Sequence, residues 1–428
     1  MQKSIILAIA LLPAQFICGQ NLEKLISVTE VKRVESTLSA DEMQGRATFS
    51  PGIEKAADFI SQEFKKAGIS PLAGSNSFRQ TFSMVKCTNQ QASGAIDGQS
   101  VDQANMVAFS SSTNLRFNQD SGFEKISIGP GADFRSIAFK YIYPKKNCLV
   151  VVDTSFAKFF TRLNGIKGKQ FKSPYSSVFV LAPIVPKQFE FRILQQVEEM
   201  PLSNIVGVLP GNTRPEEYVI FSAHYDHLGI GKPNAKGDSI YNGANDDASG
   251  STAVILLAKY FARQKNNQRT ILFATFAAEE IGGFGSQYFS RQLDPSKVVA
   301  MFNIEMIGTE SKWGSNAVYM TGYDKTDMGK IIGKNLLGSK FSVHPDPYPE
   351  QELFYRSDNA TLARQGVPAH SLSTSKMDDE KNYHTPGDEL ATLDMDNMTA
   401  VIRGLALSAG TIISGADTPS RVDIKGLK

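Results

Sequence analysis

The C-terminal half of this 428-residue chain is predicted to be an α/β domain, with a largely parallel sheet covered by helices on both faces. Three observations predict it. Strand-like runs alternate with helix-like periodicities from residue 204 onward. Several of those runs are apolar throughout, as strands buried on both faces are. Histidines and carboxylates fall at or just after the ends of the runs, the edge where such sheets carry their active residues.

The elements follow in order. Residues 204–209 read as a strand closed by Pro210-Gly211, and 218–222 as a second strand that delivers His224 and Asp226 just past its end. Residues 250–261 place Val254, Leu257, Ala258 and Phe261 on one face, the pattern of a helix packed on a sheet. Residues 270–276 form a buried strand leading to Glu279-Glu280, and 298–304 another leading to Glu305. A strand at 318–321, helices at 328–337 and 358–365, a strand at 368–372 and a closing helix at 395–412 complete the α/β domain, 202–428.

The preceding part, 20–88, is helical. Leu25, Val28, Val31 and Leu38 recur at near-helical spacing, as do Ala56, Phe59, Ile60 and Phe64, before a stop at Lys66-Ala67-Gly68. Met43-Gln44-Gly45-Arg46 is the turn between these helices. Residues 89–201 differ in character: Gln, Ser, Asn and Gly dominate first, then strand-like runs follow at 136–143, 148–152 and 177–181. This is read as an inserted, mostly β segment without chemistry of its own.

Bulk properties narrow the classes. With 41% hydrophobic and 21% charged residues, the composition is that of an ordinary globular protein. Forty-five Lys+Arg against 43 Asp+Glu leave a net charge of +2, so neither a nucleic-acid partner nor a membrane surface is implied. Residues 1–19 have the layout of a signal peptide: Lys3, an apolar stretch from Ile5 to Leu12, then Cys18-Gly19. The expected location is therefore secreted or periplasmic, with lipid anchoring through Cys18 disfavoured by the bulky Phe16 and Ile17. No later stretch reaches the roughly 20 apolar residues of a membrane span. Cys87 and Cys148 would remain after cleavage, and the sequence leaves their pairing open.

The chemistry lies in five short motifs. His224 and Asp226 are two apart in Ala223-His224-Tyr225-Asp226-His227, a spacing that suits a metal-bound imidazole and the carboxylate that orients it. His227 reads as supporting or solvent-facing rather than as a ligand. In Gly243-Ala244-Asn245-Asp246-Asp247-Ala248-Ser249-Gly250, Asp246 is the better candidate to bridge two cations, and Asp247 can cap the following helix. Adjacent Glu279 and Glu280 repel unless a cation neutralises one of them, leaving the other as a base. Glu305 and His384, the latter in Tyr383-His384-Thr385-Pro386-Gly387-Asp388, complete the order His, Asp, Glu-Glu, Glu, His. Each motif alone reads equally as a loop, a cap or a solvated acidic turn. Together they offer imidazole and carboxylate donors for a borderline metal, and a spare acid.

With these motifs the chain resembles the M28 peptidases, co-catalytic di-zinc aminopeptidases and their relatives, strongly over 204–412 and more weakly at Gln44-Gly45-Arg46. The resemblance implies a three-layer α/β/α sandwich with a mixed, largely parallel sheet. It implies two Zn2+ ions bridged by Asp246, with His224 and Glu305 at one position and Glu280 and His384 at the other. Glu279 becomes the general base and Asp226 the partner of His224, and peptides or proteins become the substrates. Two departures stand out. The family usually has Asp at the position of Glu305, and it often reads Ser-Asp-His where this chain has Ser357-Asp358-Asn359. A glutaminyl cyclase with a single zinc shares the fold, but the Asp-Asp-Ala-Ser-Gly run and Tyr383 favour the peptidase. A receptor-like relative without ligands is disfavoured because every ligand position is filled. Aminopeptidase is expected over carboxypeptidase, with Arg356 and Arg364 the nearest groups that could grip a terminal carboxylate.

Overall fold

A computed structural model describes residues 22–166, 169–183 and 185–427. The expected leader, 1–19, lies outside the described residues. The chain forms two compact units, one from the residues up to Thr81 together with those from Ser203 onward, the other from Phe82–Leu202. The chain crosses between them inside two long strands, Arg79–Ile96 and Phe189–Leu209. The composition-based boundaries of 89 and 201 differ from these because polar exposed positions in a strand look like loop when read alone.

The first unit is built on a mixed sheet. Its strand order is Ser342–Pro345, Ala317–Met320, Ala369–Ser373, Val298–Ile304, Arg214–His224, Arg269–Phe276 and the end of Phe189–Leu209. The four strands Ala369–Ser373, Val298–Ile304, Arg214–His224 and Arg269–Phe276 run parallel, with antiparallel pairings at Ala317–Met320 and Phe189–Leu209. Parallel central strands put all their carboxyl ends on one edge, and that edge holds the site.

Side chains alternate across the strands, so both faces need cover. Val219, Phe221, Ile271, Phe273 and Phe302 pack with helices Val28–Leu38, Pro51–Ala67, Ser249–Gln264 and Met395–Ser408 on one face. Ile220, Leu272, Phe276 and Met301 pack on the other with Phe289 of Phe284–Arg291 and Leu362 of Asn359–Ala363. The three-layer sandwich is therefore as expected.

Local signals explain the boundaries. The second helix starts at Pro51, earlier than its apolar spacing indicates, because Ser50 accepts from Ile53 N and Pro51 takes the first turn. It stops at Gly68, which adopts a φ of 80°. The first helix is interrupted at Ser27, whose hydroxyl caps Val28–Leu38 through Glu30 N at 3.3 Å. The helix Phe284–Arg291 and the strand Ser342–Pro345 were not anticipated; both are too short for periodicity to show.

In the second unit, a four-stranded sheet runs Met106–Phe109, Ser177–Leu181, Cys148–Val152, Glu124–Ile128. The stretch 136–143 is not a strand. It belongs to the helix Phe134–Ile142, started by Asp133 accepting from Ser136 N and joining the parallel strands Glu124–Ile128 and Cys148–Val152. Its aromatic and branched residues imitate strand composition, but Ala138 and Ile142 are four apart and both buried against Val150 and Val152. Cys87 and Cys148 are both free thiols; each Sγ donates 3.3 Å to a backbone carbonyl, of Ser110 and Lys146 respectively. Among the described residues no helix is long and apolar enough to cross a membrane.

Candidate metal centre

The five ligand candidates, scattered from 224 to 384, converge at the carboxyl edge of the parallel strands. His224 is the last residue of its strand and is buried. Its Nδ1 donates 3.0 Å to the backbone carbonyl of Asp226, which turns Nε2 toward Asp246 Oδ1 at 3.2 Å and Glu305 Oε1 at 3.3 Å. The expected orienting carboxylate does not make that bond: Asp226 Oδ1 is 3.8 Å from Nδ1. It accepts instead from the backbone N–H groups of Glu279 at 3.0 Å and Glu280 at 3.4 Å, and from Thr48 at 2.9 Å. Asp226 thus holds the turn carrying the paired glutamates, while its main chain orients the imidazole.

Asp246 is the hub. Its Oδ1 faces His224, and its Oδ2 lies 3.2 Å from His384 Nε2 and 3.7 Å from His227 Nδ1. The backbone behind it is fixed by Asp388, whose two oxygens accept from Asn245 N at 2.7 Å and Asp246 N at 2.9 Å. Asp247 points away. Its carboxylate accepts from Gly250 N, Met306 N and His224 N, capping the helix and tying two strand ends to it. A side chain at Gly250 could not fit, since a Cβ would stand 2.3 Å from Ile304 O and 2.5 Å from the Asp247 carboxylate.

Glu280 lies between two imidazoles, Oε1 at 2.8 Å from His227 Nδ1 and Oε2 at 3.2 Å from His384 Nε2. Glu305 keeps Oε1 on His224 because Ser357 Oγ donates to Oε2 at 2.5 Å, with Asn303 Nδ2 donating to that Oγ at 2.9 Å. The extra methylene relative to Asp is thereby anchored. Asn359 does not reach the centre: it donates to the Phe354 and Ala369 carbonyls and accepts from Ser371. Glu279 lines the same pocket, alongside Met306, Tyr319, Leu353, Met377 and Tyr383. Arg356 is also on that wall, whereas Arg364 stacks over the Tyr355 ring.

Two donor sets have atoms mutually within 4.8 Å: His224, Asp246 and Glu305, and His227, Asp246 and Glu280. His384 meets the second through the same two carboxylates. Titration reflects the crowding. Burial opposes ionisation of Asp246, yet the facing His227, His224 and His384 hold its carboxyl well below the usual range. Burial opposes a charge on His224 too, but Glu305 and Asp246 push its pKa well up. Asp246 and Glu280 raise His384 to about 10. Burial lifts Glu279 well above an ordinary Glu, and Asp358 to about 7. Packed this closely, the imidazoles favour the charged form of the carboxylates they face, and those carboxylates favour the charged imidazoles.

The donor chemistry fits zinc: imidazole nitrogens and carboxylate oxygens, with one carboxylate offering an oxygen to each of two sets. The buried Glu280 Oε1 and both ring nitrogens of His227 have no hydrogen-bond partner, although Oε1 and Nδ1 are only 2.8 Å apart. Close contact without N–H···O alignment is expected of donors that share a cation.

Arg46 is the residue whose role was not legible in the sequence. Its buried guanidinium donates to four carbonyls, those of Tyr225, Leu38, Asn242 and Gly243, at 2.6–2.9 Å. It clamps the loops that carry His224 and Asp246. Gly45 beside it has a φ of 63° and no room for a Cβ, which would stand 2.4 Å from Tyr241 O. The Gln-Gly-Arg turn was visible in the sequence; its reach to carbonyls 179–197 residues away was not.

Residues 204–408 match the model of peptidase family M28. They belong to that family. The chain is 29% identical over 204 residues to a probable leucine aminopeptidase of Trichophyton verrucosum, covering 46% of this chain and 53% of that protein. It is 26% identical over 215 residues to aminopeptidase Y of Saccharomyces cerevisiae, covering 48% and 37%. The chain thus spans about half the length, or less, of these curated relatives. Among solved structures, an aminopeptidase from Aneurinibacillus sp. strain AM-1 superimposes with a TM-score of 0.54 at 18% identity, covering 96% of this chain and 98% of that one. A zinc aminopeptidase from Bacillus subtilis gives 0.52 at 15%, covering 93% and 99%. At these identities the likeness shows the fold alone.

Proposed function

We propose that the chain is a zinc-dependent metallopeptidase, an aminopeptidase that hydrolyses N-terminal residues from peptides with two zinc ions. The observation that carries this reading is Asp246, whose two oxygens face different imidazoles, beside a Glu279 that is in the pocket but in neither donor set. His224 and Glu305 would hold one zinc and Glu280 and His384 the other, with Asp246 shared. Bound zinc supplies Lewis acidity, which brings water toward ionisation near pH 7 from about 15.7. Glu279 takes the proton of the attacking water on its carboxylate and returns it to the leaving amine nitrogen. Burial, which raises its affinity for protons, suits it to that exchange. Asp226 fixes the backbone of Glu279, so the carboxylate is presented in one place. Met306, Tyr319, Leu353, Met377 and Tyr383 give the substrate an apolar wall that also excludes water.

The aminopeptidase assignment draws support from the names of the similar proteins. Hydrolysis of a panel of aminoacyl amides, with acetyl-blocked peptides as controls, tests it together with metal analysis. Two zincs per chain and cleavage of free N-termini only are expected. Equal cleavage of blocked peptides would overturn the aminopeptidase reading, and a single zinc would favour cyclase-type chemistry. We also propose that the chain is exported; the mature N-terminus, read by mass spectrometry after expression in a host with a secretory pathway, tests this.

A further inference from the structure

We infer that His227 is itself a ligand of the metal centre, sharing a zinc with Glu280, His384 and Asp246. The inference rests on the dinuclear reading above. It gives that position two imidazoles, against one at the His224–Glu305 position.

The ring is placed by its backbone. His227 N donates 3.3 Å to Arg46 O, and Ala47 and His227 form a parallel bridge, so the residue after Asp226 turns inward rather than to solvent. Gly243, at a φ of 57°, lets the ring approach: a Cβ there would stand 2.5 Å from both Cγ and Cδ2 of His227. The imidazole is fully buried, and neither of its nitrogens has a hydrogen-bond partner. A buried polar group left this way is costly unless something polar or charged engages it.

The available neighbours are two carboxylates already assigned to a metal. Nδ1 is 2.8 Å from Glu280 Oε1 and 3.7 Å from Asp246 Oδ2. Donors about 2.0–2.1 Å from one tetrahedral zinc stand roughly 3.4 Å apart. These two distances straddle that value, and the two 3.2 Å contacts of His384 to the same carboxylates lie just below it. The rings of His227 and His384 meet at 69° with centroids 5.7 Å apart, so they address the Asp246–Glu280 pair from different directions. A hydrogen bond from His227 to Glu280 is the competing role, and the poor alignment of that close pair disfavours it.

X-ray absorption at the zinc edge of the zinc-loaded protein counts imidazoles without altering the chain. Three imidazoles shared by two zincs are expected, and two after His227→Gln, with one zinc lost to a chelator at least about 10-fold more readily. Two zincs carrying two imidazoles in the unaltered protein would overturn the assignment of His227 while leaving the dinuclear reading intact. Fewer than two zincs would overturn the dinuclear reading. His227 then stands if His227→Gln removes an imidazole from the zinc that remains, and falls if it does not.

Discussion

Both compact units of this chain are α/β structures with parallel strands, yet among the described residues only one gathers imidazoles with carboxylates at its strand ends. In the first, His224 ends Arg214–His224 with Asp226 two residues on, Glu279–Glu280 come after Arg269–Phe276 with two alanines between, and Glu305 directly follows Val298–Ile304. In the second, Cys148–Val152 is buried along its whole length and is followed by Asp153, which caps a short turn by accepting from Ser155 N at 2.9 Å. Strand direction creates the edge, but residues imported from distant loops make it a site. Asp246, Asp388, Arg46 and His384 all reach the first unit's edge from connections rather than strands. A shared architecture is therefore no guide to function without that second set.

The largest expected effect that would sharpen this contrast is on turnover. On the proposed dinuclear reading, Glu279→Gln should keep both metals and lower kcat by a factor on the order of 10²–10⁴ or more, since a base acts in the transition state. Loss of zinc in step with activity, read by metal analysis, would make Glu279 a ligand instead. Next is the clamp. Arg46→Ala leaves four buried carbonyls unpaired and should cost at least about 4 kcal/mol in denaturant unfolding, with weakened metal retention.

Leu149→Ala probes the other region. It removes a fully buried side chain from the second unit's core and should cost about 3 kcal/mol there. Zinc content and kcat should be unchanged, and a fall in either would break the contrast between the units. The smallest effect concerns a histidine of the first unit's sheet that lies away from the candidate metal centre. His370 is buried, its Nδ1 donating to Thr321 O and its Nε2 accepting from Thr326 at 2.8 Å each, and burial lowers its pKa to about 4. Because the folded state resists a proton that the unfolded state accepts near pH 6.5, its contribution is complete above 6.5. It is lost as the pH falls through 4, at most about 3 kcal/mol. Denaturant unfolding across pH 4–7 should show this slope and His370→Gln should flatten it.

Much of the first unit was legible because its signals are local. Apolar runs of strand length and the helical face of Val254, Leu257, Ala258 and Phe261 are statements about neighbours in sequence. The helix Phe134–Ile142 misled for the same reason: aromatic and branched residues favour strands locally, and only the strands on either side of it make burial of Ala138 and Ile142 decisive.

The sequence by itself determined which donor types the site would contain and which strands would present them, since residue identity and short-range periodicity need no partner. Tertiary structure alone decided which atoms meet. It directed the Asp226 carboxylate to the glutamate turn instead of to His224, locked Glu305 with Ser357, and turned Arg46 and His227 inward, which their motifs did not indicate. The physical reason is that a hydrogen bond or ligand contact depends on direction and on a few tenths of an ångström. Those quantities are set only when the remote segments pack.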